Sequence, residues 1–323
     1  MGVLLIVSID TEEDNWHRSR NDVTVKNISQ LRRLGAFFDR LGVRPTYFTS
    51  YQVAIDPCAA DVLREVGDEG RAEIAAHLHP WNTPPLTEAF VPRNSMLKNL
   101  PAGLQLAKLQ QLTTTLEEVF GVAPTAFRAG RYGLGSDTVG ALAQCGYRVD
   151  SSVTPFYSWE NVDDGPSFVG APMVPYRLAP DRDVRQPAQN GDLIEIPLSF
   201  GFSRRPFSFW APVHRFLEAA PLRWLHAAGV AARTGLISRL VLSPEMATVD
   251  EMLTLSSRLL EQGVRHLHVT WHSPSLSPNL SPFVATAADV ERLYSTVAAY
   301  VEGLSRMTPV TFATVSEAAA VLG

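Results

Sequence analysis

A run of acidic residues directly follows the first apolar segment of the chain. Val3–Val7 has the continuous apolar pattern of a buried strand and is too short for a helix, and Asp10, Glu12, Glu13 and Asp14 follow it. Because side chains alternate along an extended strand, Asp10 and Glu12 can point to the same side. In parallel α/β folds, ligands and chemistry lie at the carboxyl ends of the strands. The acids predict either part of a catalytic site or a solvated acidic loop.

Two histidines follow another predicted strand at a spacing of two. His77 and His79 come after the apolar segment 72–76, and on an extended chain both imidazoles face one side. One carboxylate and two imidazoles, with coordination positions left open, are a common catalytic zinc site. Glu12, His77 and His79 therefore predict a metal site, although a single histidine without this context would more often be structural. The histidines without this context are expected on the surface, namely His17, His214 and His226, and those inside the apolar strand 266–271 are expected to be structural, namely His266 and His268.

Two further predicted strands end in polar groups. Residues 125–127 lead into Arg128, Arg131 and Tyr132, and residues 266–271 lead into His272. If the strands are parallel, these side chains meet the acids and the two histidines at one edge of the sheet. The four strand ends together carry the groups that a metal-dependent hydrolase needs.

Helical and extended patterns alternate along most of the chain, which predicts parallel strands wrapped by helices. The predicted helices cover 25–41, 61–70, 104–120, 136–145, 249–262 and 287–304, and further predicted strands cover 45–51, 193–200 and 310–314. The middle is less regular. Residues 155–190 predict a long loop or a small hairpin. Residues 203–245 predict a helical insertion with aromatic residues that look exposed, among them Phe209, Trp210, Phe216 and Trp224. That insertion could cover a site, bind a partner or simply belong to the core.

Composition restricts the classes of protein to which this chain can belong. Its 323 residues are 46% hydrophobic, with a formal net charge of −5, which gives no electrostatic footprint for nucleic acid. Cys58 and Cys145 are too few for a metal cage and are not expected to pair. The first apolar segment lacks a basic flank and a cleavage site, and no apolar run is long enough for a transmembrane segment. We expect a cytoplasmic protein with one domain over residues 1–323.

Taken in order, the motifs resemble those of the polysaccharide deacetylases with NodB homology, carbohydrate esterase family 4. The stretches that carry the resemblance are Ser8–Asp14, Glu73–Trp81, Phe127–Gly133, Glu195–Pro197, Trp271–Leu276 and, for the closing strand, Thr311–Glu317. Each is weak alone, but together they span nearly the whole chain in the order found in the family. The resemblance implies an α/β fold, a distorted (β/α) barrel of about seven strands, with the helical and loop insertions near its active-site face.

The resemblance also implies a role for each matching residue. Glu12, His77 and His79 would hold a divalent metal, zinc first, with cobalt, nickel, iron or manganese as alternatives. Asp10 would be the catalytic base. Arg128 would pair with Asp10, His272 would protonate the leaving amine, the backbone N–H of Tyr132 would bind the oxyanion, and Arg131 and Trp81 would contribute to substrate binding.

The sequence departs from the family pattern in three places. Thr11 stands where a second aspartate is usual, so Glu12 has to supply the carboxylate ligand. Trp81 stands where the second histidine is usual, four positions after His77, so His79 has to replace it. The tryptophan and aspartate of the fourth motif are missing near residue 195, and the tryptophans that could fill the aromatic role are Trp159, Trp210 and Trp271.

The resemblance implies hydrolysis of an N-acyl group, most simply acetyl, on an amino sugar or a glycoconjugate intermediate. Two alternatives stay open. One is hydrolysis of a non-sugar amide, such as a cyclic ureide, on the same barrel. The other is a carbohydrate-binding relative that has lost catalysis, because a fold alone does not establish an activity. The metal content of the purified protein would distinguish this last alternative from the enzymes.

Overall fold

The computed structural model describes residues 2–14, 19–219, 227–233 and 236–323, and strands alternate with helices through these ranges. The strands are β1 (Val3–Thr11), β2 (Thr46–Ser50), β3 (Glu73–Leu78), β4 (Ala126–Ala129), β5 (Val149–Asp150), β6 (Tyr176–Leu178), β7 (Leu193–Glu195), β8 (Phe200–Phe202), β9 (Arg239–Val241), β10 (His266–His272) and β11 (Val310–Ala313). The helices are α1 (Leu31–Leu41), α2 (Tyr51–Ile55), α3 (Pro57–Gly67), α4 (Ala102–Phe120), α5 (Ser136–Gln144), α6 (Phe207–Glu218), α7 (Ala227–Arg233), α8 (Val249–Glu261), α9 (Ala287–Met307) and α10 (Val315–Leu322).

One curled sheet organises the molecule. Its order is β10-β1-β2-β3-β4-β5-β7-β6, and every neighbouring pair is parallel except β7 and β6. β1 has three partners because it is long: β10 occupies one edge, while β11 pairs with Val3–Ile6 and β2 with Ser8–Thr11 on the other. The predicted distorted (β/α) barrel is confirmed, with seven parallel strands in series and β11 added beside the start of β1.

Irregular chain bridges the gap between β7 and β10. Leu198 N–H donates to the Val153 carbonyl, Leu242 N–H donates to the Ser199 carbonyl, and Thr270 N–H donates to the Leu242 carbonyl. β8 and β9 form a separate antiparallel pair that begins at this bridge. The helical insertion predicted over 203–245 therefore leaves and rejoins the barrel where the sheet is incomplete.

The period of two along the strands sorts the barrel interior into layers. Ile6 on β1, Phe48 on β2, Ala75 on β3 and Ala126 on β4 form an apolar layer, against which α10 packs. Two residues further along β1 comes Ser8, and two further again comes Asp10, so the interior becomes polar toward the carboxyl ends of the strands. The polar layer therefore rests on a packed apolar layer.

Several local predictions were wrong in detail. The strand predicted over 193–200 breaks into β7 and β8, because the chain leaves β7 to bridge the barrel gap. The helix predicted over 25–41 begins with a 3-10 turn over Lys26–Gln30, and α10 was not predicted. His214, predicted to lie on the surface, is 6% exposed and pairs with Glu218.

Other predictions fall outside the described residues, namely those for His17, Trp224 and His226. Cys58 and Cys145 are free thiols, as predicted. Within the ranges that the structure covers, no helix combines the length and the apolar character needed to cross a membrane.

Candidate metal centre and active site

The acidic run at the end of β1 is buried, which excludes the solvated loop, one of the two alternatives that the sequence left open. Asp10, Glu12, Glu13 and Asp14 are each at most 6% exposed. Asp14 has a structural role, because its carboxylate accepts hydrogen bonds from the Thr24 hydroxyl and from the backbone N–H groups at the start of the 3-10 turn. The other three acids face histidines or an arginine. Burying several carboxylates together is costly unless each has a partner of opposite charge.

Glu12, His77 and His79 form a compact set of potential metal ligands. Glu12 Oε2 lies 3.5 Å from His77 Nε2 and 3.2 Å from His79 Nε2. One ligand atom from each residue lies within 4.8 Å of the others, and all three side chains are buried. A carboxylate and two imidazole nitrogens at this spacing match a three-ligand catalytic site for zinc or a similar ion.

The hydrogen bonds of the two imidazoles support metal binding. His77 Nδ1 donates to the Arg128 carbonyl at 3.0 Å, and His79 Nδ1 donates to Glu13 Oε1 at 2.7 Å. A carbonyl oxygen can only accept, so His77 carries its proton on Nδ1, and in the neutral ring the Nε2 lone pair faces Glu12. Orientation of the metal-binding nitrogen by a partner on the other ring nitrogen is usual at protein metal sites. The residues present therefore fit a divalent cation.

Glu13 is a residue of the site that the sequence analysis did not identify. Besides His79, its carboxylate accepts from Asn82 Nδ2 at 2.5 Å and from the Ser50 hydroxyl at 3.2 Å. Burial acts to lower the pKa of His79, but the charges of Glu13 and Glu12 raise it to about 10. A cation bound between the ligands would take the place of the proton that these carboxylates favour.

Glu12 stays ionised in this setting. Burial alone would raise the pKa of its carboxyl group, but the close approach of the His77 and His79 rings holds the pKa below its usual range. An ionised carboxylate facing two imidazole nitrogens is a better cation ligand than a neutral acid.

The turn after β4 and a tryptophan hold the His79 ring in place. The Trp81 indole stacks on the imidazole with ring centroids 4.2 Å apart and is itself 7% exposed. On the other side, a Cβ atom added to Gly130 would lie 2.4 Å from His79 Cδ2. Only glycine leaves room for the ring there. Trp81, predicted to bind substrate, thus contacts His79, one of the potential metal ligands.

Asp10 lies beside the ligands and pairs with a fully buried arginine. Arg128 donates to Asp10 Oδ1 at 2.5 Å, and its remaining N–H groups donate to the Thr270 hydroxyl, the Ser8 hydroxyl and the Ser151 carbonyl. Burial acts to raise the pKa of Asp10, but the Arg128 charge lowers it overall. Asp10 is therefore an ionised, rigidly held carboxylate that can accept a proton.

A neutral histidine lies beneath this ion pair. His268 Nε2 is 2.8 Å from the Ser8 hydroxyl and 3.3 Å from an Arg128 nitrogen. Burial and the Arg128 charge hold the pKa of His268 well below its usual range. His268 and His266 were predicted to be structural, and both are buried with hydrogen bonds inside the barrel.

His272 lies across the site from Arg128. Its Nε2 is 3.9 Å from Asp10 Oδ2, and its Nδ1 donates to Glu245 Oε2 at 2.9 Å. Burial acts to lower the pKa of His272, but the Glu245 charge and hydrogen bond raise it to about 9. Glu245 is a second residue that sequence analysis missed as part of the site. His272 is thus protonated at neutral pH and can donate a proton.

Arg131 and Tyr132 lie on a tight turn at the end of β4. Both have left-handed backbone angles, with φ of 54° and 58°, which non-glycine residues seldom adopt outside functional turns. Arg131 pairs with Asp163 at 2.6 Å, so its charge is directed to the loop of residues 155–190. The Tyr132 ring lies 5.4 Å from the Trp159 ring.

The structure distinguishes the three tryptophans considered for the aromatic role. Trp271 is fully buried and contacts Phe38 in the core, at a ring distance of 6.0 Å. Trp210 lies on α6 beside Phe209. The Trp159 ring contacts that of a predicted site residue, Tyr132, which favours Trp159 for the aromatic role.

Comparison with known proteins gives fold relatives only. No family model matches the chain, and no curated protein matches it. Among solved structures, a "putative polysaccharide deacetylase" from Mycobacterium smegmatis matches with a TM-score of 0.54 and 18% identity, covering 100% of this chain and 91% of that one. A "putative glycoside hydrolase/deacetylase" from Parabacteroides distasonis matches with a TM-score of 0.62 and 12% identity, covering 97% and 69%.

A 4-alpha-glucanotransferase from Thermococcus litoralis also matches, with a TM-score of 0.53 and 13% identity, covering 99% of this chain and 40% of that one. The resemblance to polysaccharide deacetylases that the motifs predict is thus confirmed at the level of the fold. The same barrel also occurs in a protein named for a different reaction, so the assignment of chemistry depends on the site residues.

Proposed function

We propose that this protein is a metal-dependent deacetylase that hydrolyses the N-acetyl amide of an amino sugar within a glycan or glycoconjugate. The observation that supports it most is the adjacency of the Glu12, His77 and His79 set to an ionised Asp10 and a protonated His272. Amide hydrolysis needs a base for the attacking water and an acid for the departing amine. The fold shared with deacetylases favours a sugar substrate over other amides.

Each residue has a distinct task in this mechanism. Glu12, His77 and His79 would hold the cation, zinc in the first instance, which when bound lowers the pKa of water and polarises an acyl oxygen. Asp10 accepts the proton of the attacking water, and Arg128 keeps Asp10 ionised and oriented. His272 donates the proton that makes the amine a competent leaving group.

The surrounding residues keep His272 protonated while Asp10 stays ionised. Glu245 on His272 Nδ1 directs the Nε2–H toward Asp10 and the substrate space. The backbone N–H of Tyr132 would bind the oxyanion, and Trp159, whose ring lies 5.4 Å from that of Tyr132, would fill the aromatic role beside a sugar ring.

A substrate comparison tests the proposal. Zinc-loaded protein is incubated with N-acetylglucosamine oligomers and, separately, with a cyclic ureide, and acetate or ring-opened product is measured. Acetate release from the oligomers alone is expected. Activity on the ureide alone would replace the sugar substrate with a non-sugar amide, and activity on neither with zinc bound would favour a binding protein.

A further inference from the structure

The helical insertion exposes large apolar side chains to solvent. Phe209 and Phe216 on α6 are 57% and 68% exposed, and Val230 on α7 and Leu236 after it are 53% and 46% exposed. Phe209 and Phe216 are seven residues apart, so they lie on one face of α6 two turns from each other. A monomeric domain gains nothing in its own core from such a face.

The opposite face of α6 already supplies the contacts that hold the helix on the barrel. Phe207 is 1% exposed and packs against Phe202 and Phe156, with ring centroids 5.7 Å and 5.6 Å away. His214, also seven residues further on, is buried on that side. Packing of α6 on the barrel therefore accounts for the buried residues on its inner face. It does not account for Phe209 and Phe216 on the opposite face.

The same stretch is strongly basic in an acidic protein. Residues 203–245 contain six arginines, two glutamates and no lysine or aspartate, a net charge of +4 against −5 for the whole chain. Both glutamates have partners: Glu218 pairs with Arg239 at 3.0 Å, and Glu245 pairs with His272 at 2.9 Å. Among the described residues of this stretch, the exposed arginines are Arg204, Arg205, Arg215 and Arg233, and Arg205 pairs with Glu261 at 2.9 Å. The charge asymmetry orients this end of the molecule toward negative surfaces.

We propose that the exposed face of α6, together with the exposed arginines on and beside it, docks the protein on an anionic membrane surface. Phe209 and Phe216 would enter the boundary between headgroups and acyl chains, and the exposed arginines would face lipid phosphates. Helices that lie in the membrane interface carry aromatic side chains on one face, as α6 does, and basic residues on or beside the helix, here Arg215 with Arg204 and Arg205, add attraction to anionic lipids. This inference concerns where the protein acts and does not depend on the proposed reaction.

The docking surface lies next to the catalytic cleft. Arg239 on β9 lies over the Tyr157 ring at 3.9 Å, and Tyr157 stacks on Trp159 at 4.4 Å. Trp159 in turn contacts Tyr132 at the site. Docking through α6 would place this aromatic edge of the cleft beside the lipid surface, so that a substrate attached to the membrane could reach the site.

Sedimentation of the full chain with vesicles tests the proposal. Binding is expected to vesicles of phosphatidylglycerol mixed with phosphatidylcholine, to be weaker on phosphatidylcholine alone, and to fall as salt is added. The double variant Phe209→Ser/Phe216→Ser should bind at least about tenfold more weakly, because each phenylalanine removed from water contributes that much or more. The matched control is Val122→Ser/Val321→Ser, two positions elsewhere that are 74% and 70% exposed, and it should bind like the parent.

Two results would overturn the inference. One is parent protein that does not sediment with the anionic vesicles, or a double variant that sediments as well as the parent does. The other is a parent dimer, seen by light scattering, that Phe209→Ser/Phe216→Ser converts to monomer without any vesicle binding; the surface would then be an interface between two copies. Acetate release from a water-soluble sugar by the double variant separates either failure from failure of the proposed reaction.

Discussion

At the scale of single residues, the proposed base Asp10 and the proposed acid His272 have separate charged partners. Arg128 keeps Asp10 ionised, and Glu245 keeps His272 protonated, although the two side chains approach within 3.9 Å. Opposite protonation states at neutral pH are what hydrolysis of an amide requires of a base and an acid. Each assignment can be tested by a substitution that keeps the shape of the side chain.

Replacing Asp10 by asparagine removes the base and leaves the ligand set intact. Asp10→Asn is expected to lower kcat by about 10²–10⁴-fold, the usual contribution of a positioned base. Zinc content should not change, since Glu12, His77 and His79 all remain. Turnover and elemental analysis of the same preparation check this, and full turnover by the variant would remove the base assignment from Asp10.

Replacing Glu245 by glutamine should move the alkaline limit of activity. The acid form of His272 is needed, and its raised pKa of about 9 means that activity is lost as the pH rises through that value. In Glu245→Gln the carboxylate that raises the His272 pKa is gone. The pH at which activity is lost on the alkaline side should therefore shift toward the ordinary histidine pKa of about 6.5. A kcat/KM profile against pH measures the shift. An unchanged alkaline limb would show that a group other than His272 sets it.

At the scale of elements, the ends of β1 and β3 carry the potential metal ligands, and neighbouring elements hold these side chains in place. The turn after β4 contacts His79 on one side, and α4 holds the loop after β3 through hydrogen bonds. Lys108 on α4 is fully buried and donates to the Pro80, Thr83 and Pro85 carbonyls. These supports give two predictions on residues that touch no substrate.

Adding a methyl group to Gly130 should displace a metal ligand. In Gly130→Ala the new Cβ would meet the His79 ring at 2.4 Å and the Leu78 carbonyl at 2.6 Å, so the imidazole has to move. Metal content and affinity are expected to fall by about 10–100-fold, the usual effect of disturbing the residues that orient a ligand. The control is Gly103→Ala, where the same atom meets nothing within 4 Å. Equal zinc affinity in both variants would contradict the proposed role of the turn.

Removing the Lys108 ammonium should destabilise the loop that follows β3. Lys108→Met leaves three buried carbonyls without their donor and removes an ion pair with Glu88, 3.2 Å away, whose other partner is Arg20. The free energy of unfolding is expected to fall by about 3 kcal/mol or more, since each unsatisfied buried group costs about 1–3 kcal/mol. Urea denaturation measures the loss. Lys98→Met serves as the control, because Lys98 is half-buried and donates to a single side chain, that of Asn99. A Lys108→Met protein as stable as this control would contradict the account.

At the scale of the whole molecule, periodicity predicted parallel strands wrapped by helices, and the resemblance to the deacetylases added the prediction of a barrel. The alternation along β1 predicted that Asp10 and Glu12 share a side, and the i, i+2 spacing predicted the same of His77 and His79. The sequence could not reveal Glu13 as the partner of His79. If the strand continued, Glu13 would point to the side opposite Asp10 and Glu12, and only the turn after β1 brings it to His79. Glu245 was equally hidden, since it reaches His272 only through the irregular closure of the barrel. Contacts made where the sheet is interrupted have no sequence period from which to predict them.

The central claim is that a cation bound by Glu12, His77 and His79 is required for deacetylation, and one measurement tests it most directly. The purified chain is analysed for metals, stripped with a chelator and reloaded with zinc, and acetate release from N-acetylglucosamine oligomers is followed at each stage. The account predicts about one ion per chain, as a single three-ligand site allows, with activity lost on stripping and restored on reloading. A chain that takes up no zinc, or that releases acetate equally well when stripped, would contradict the account.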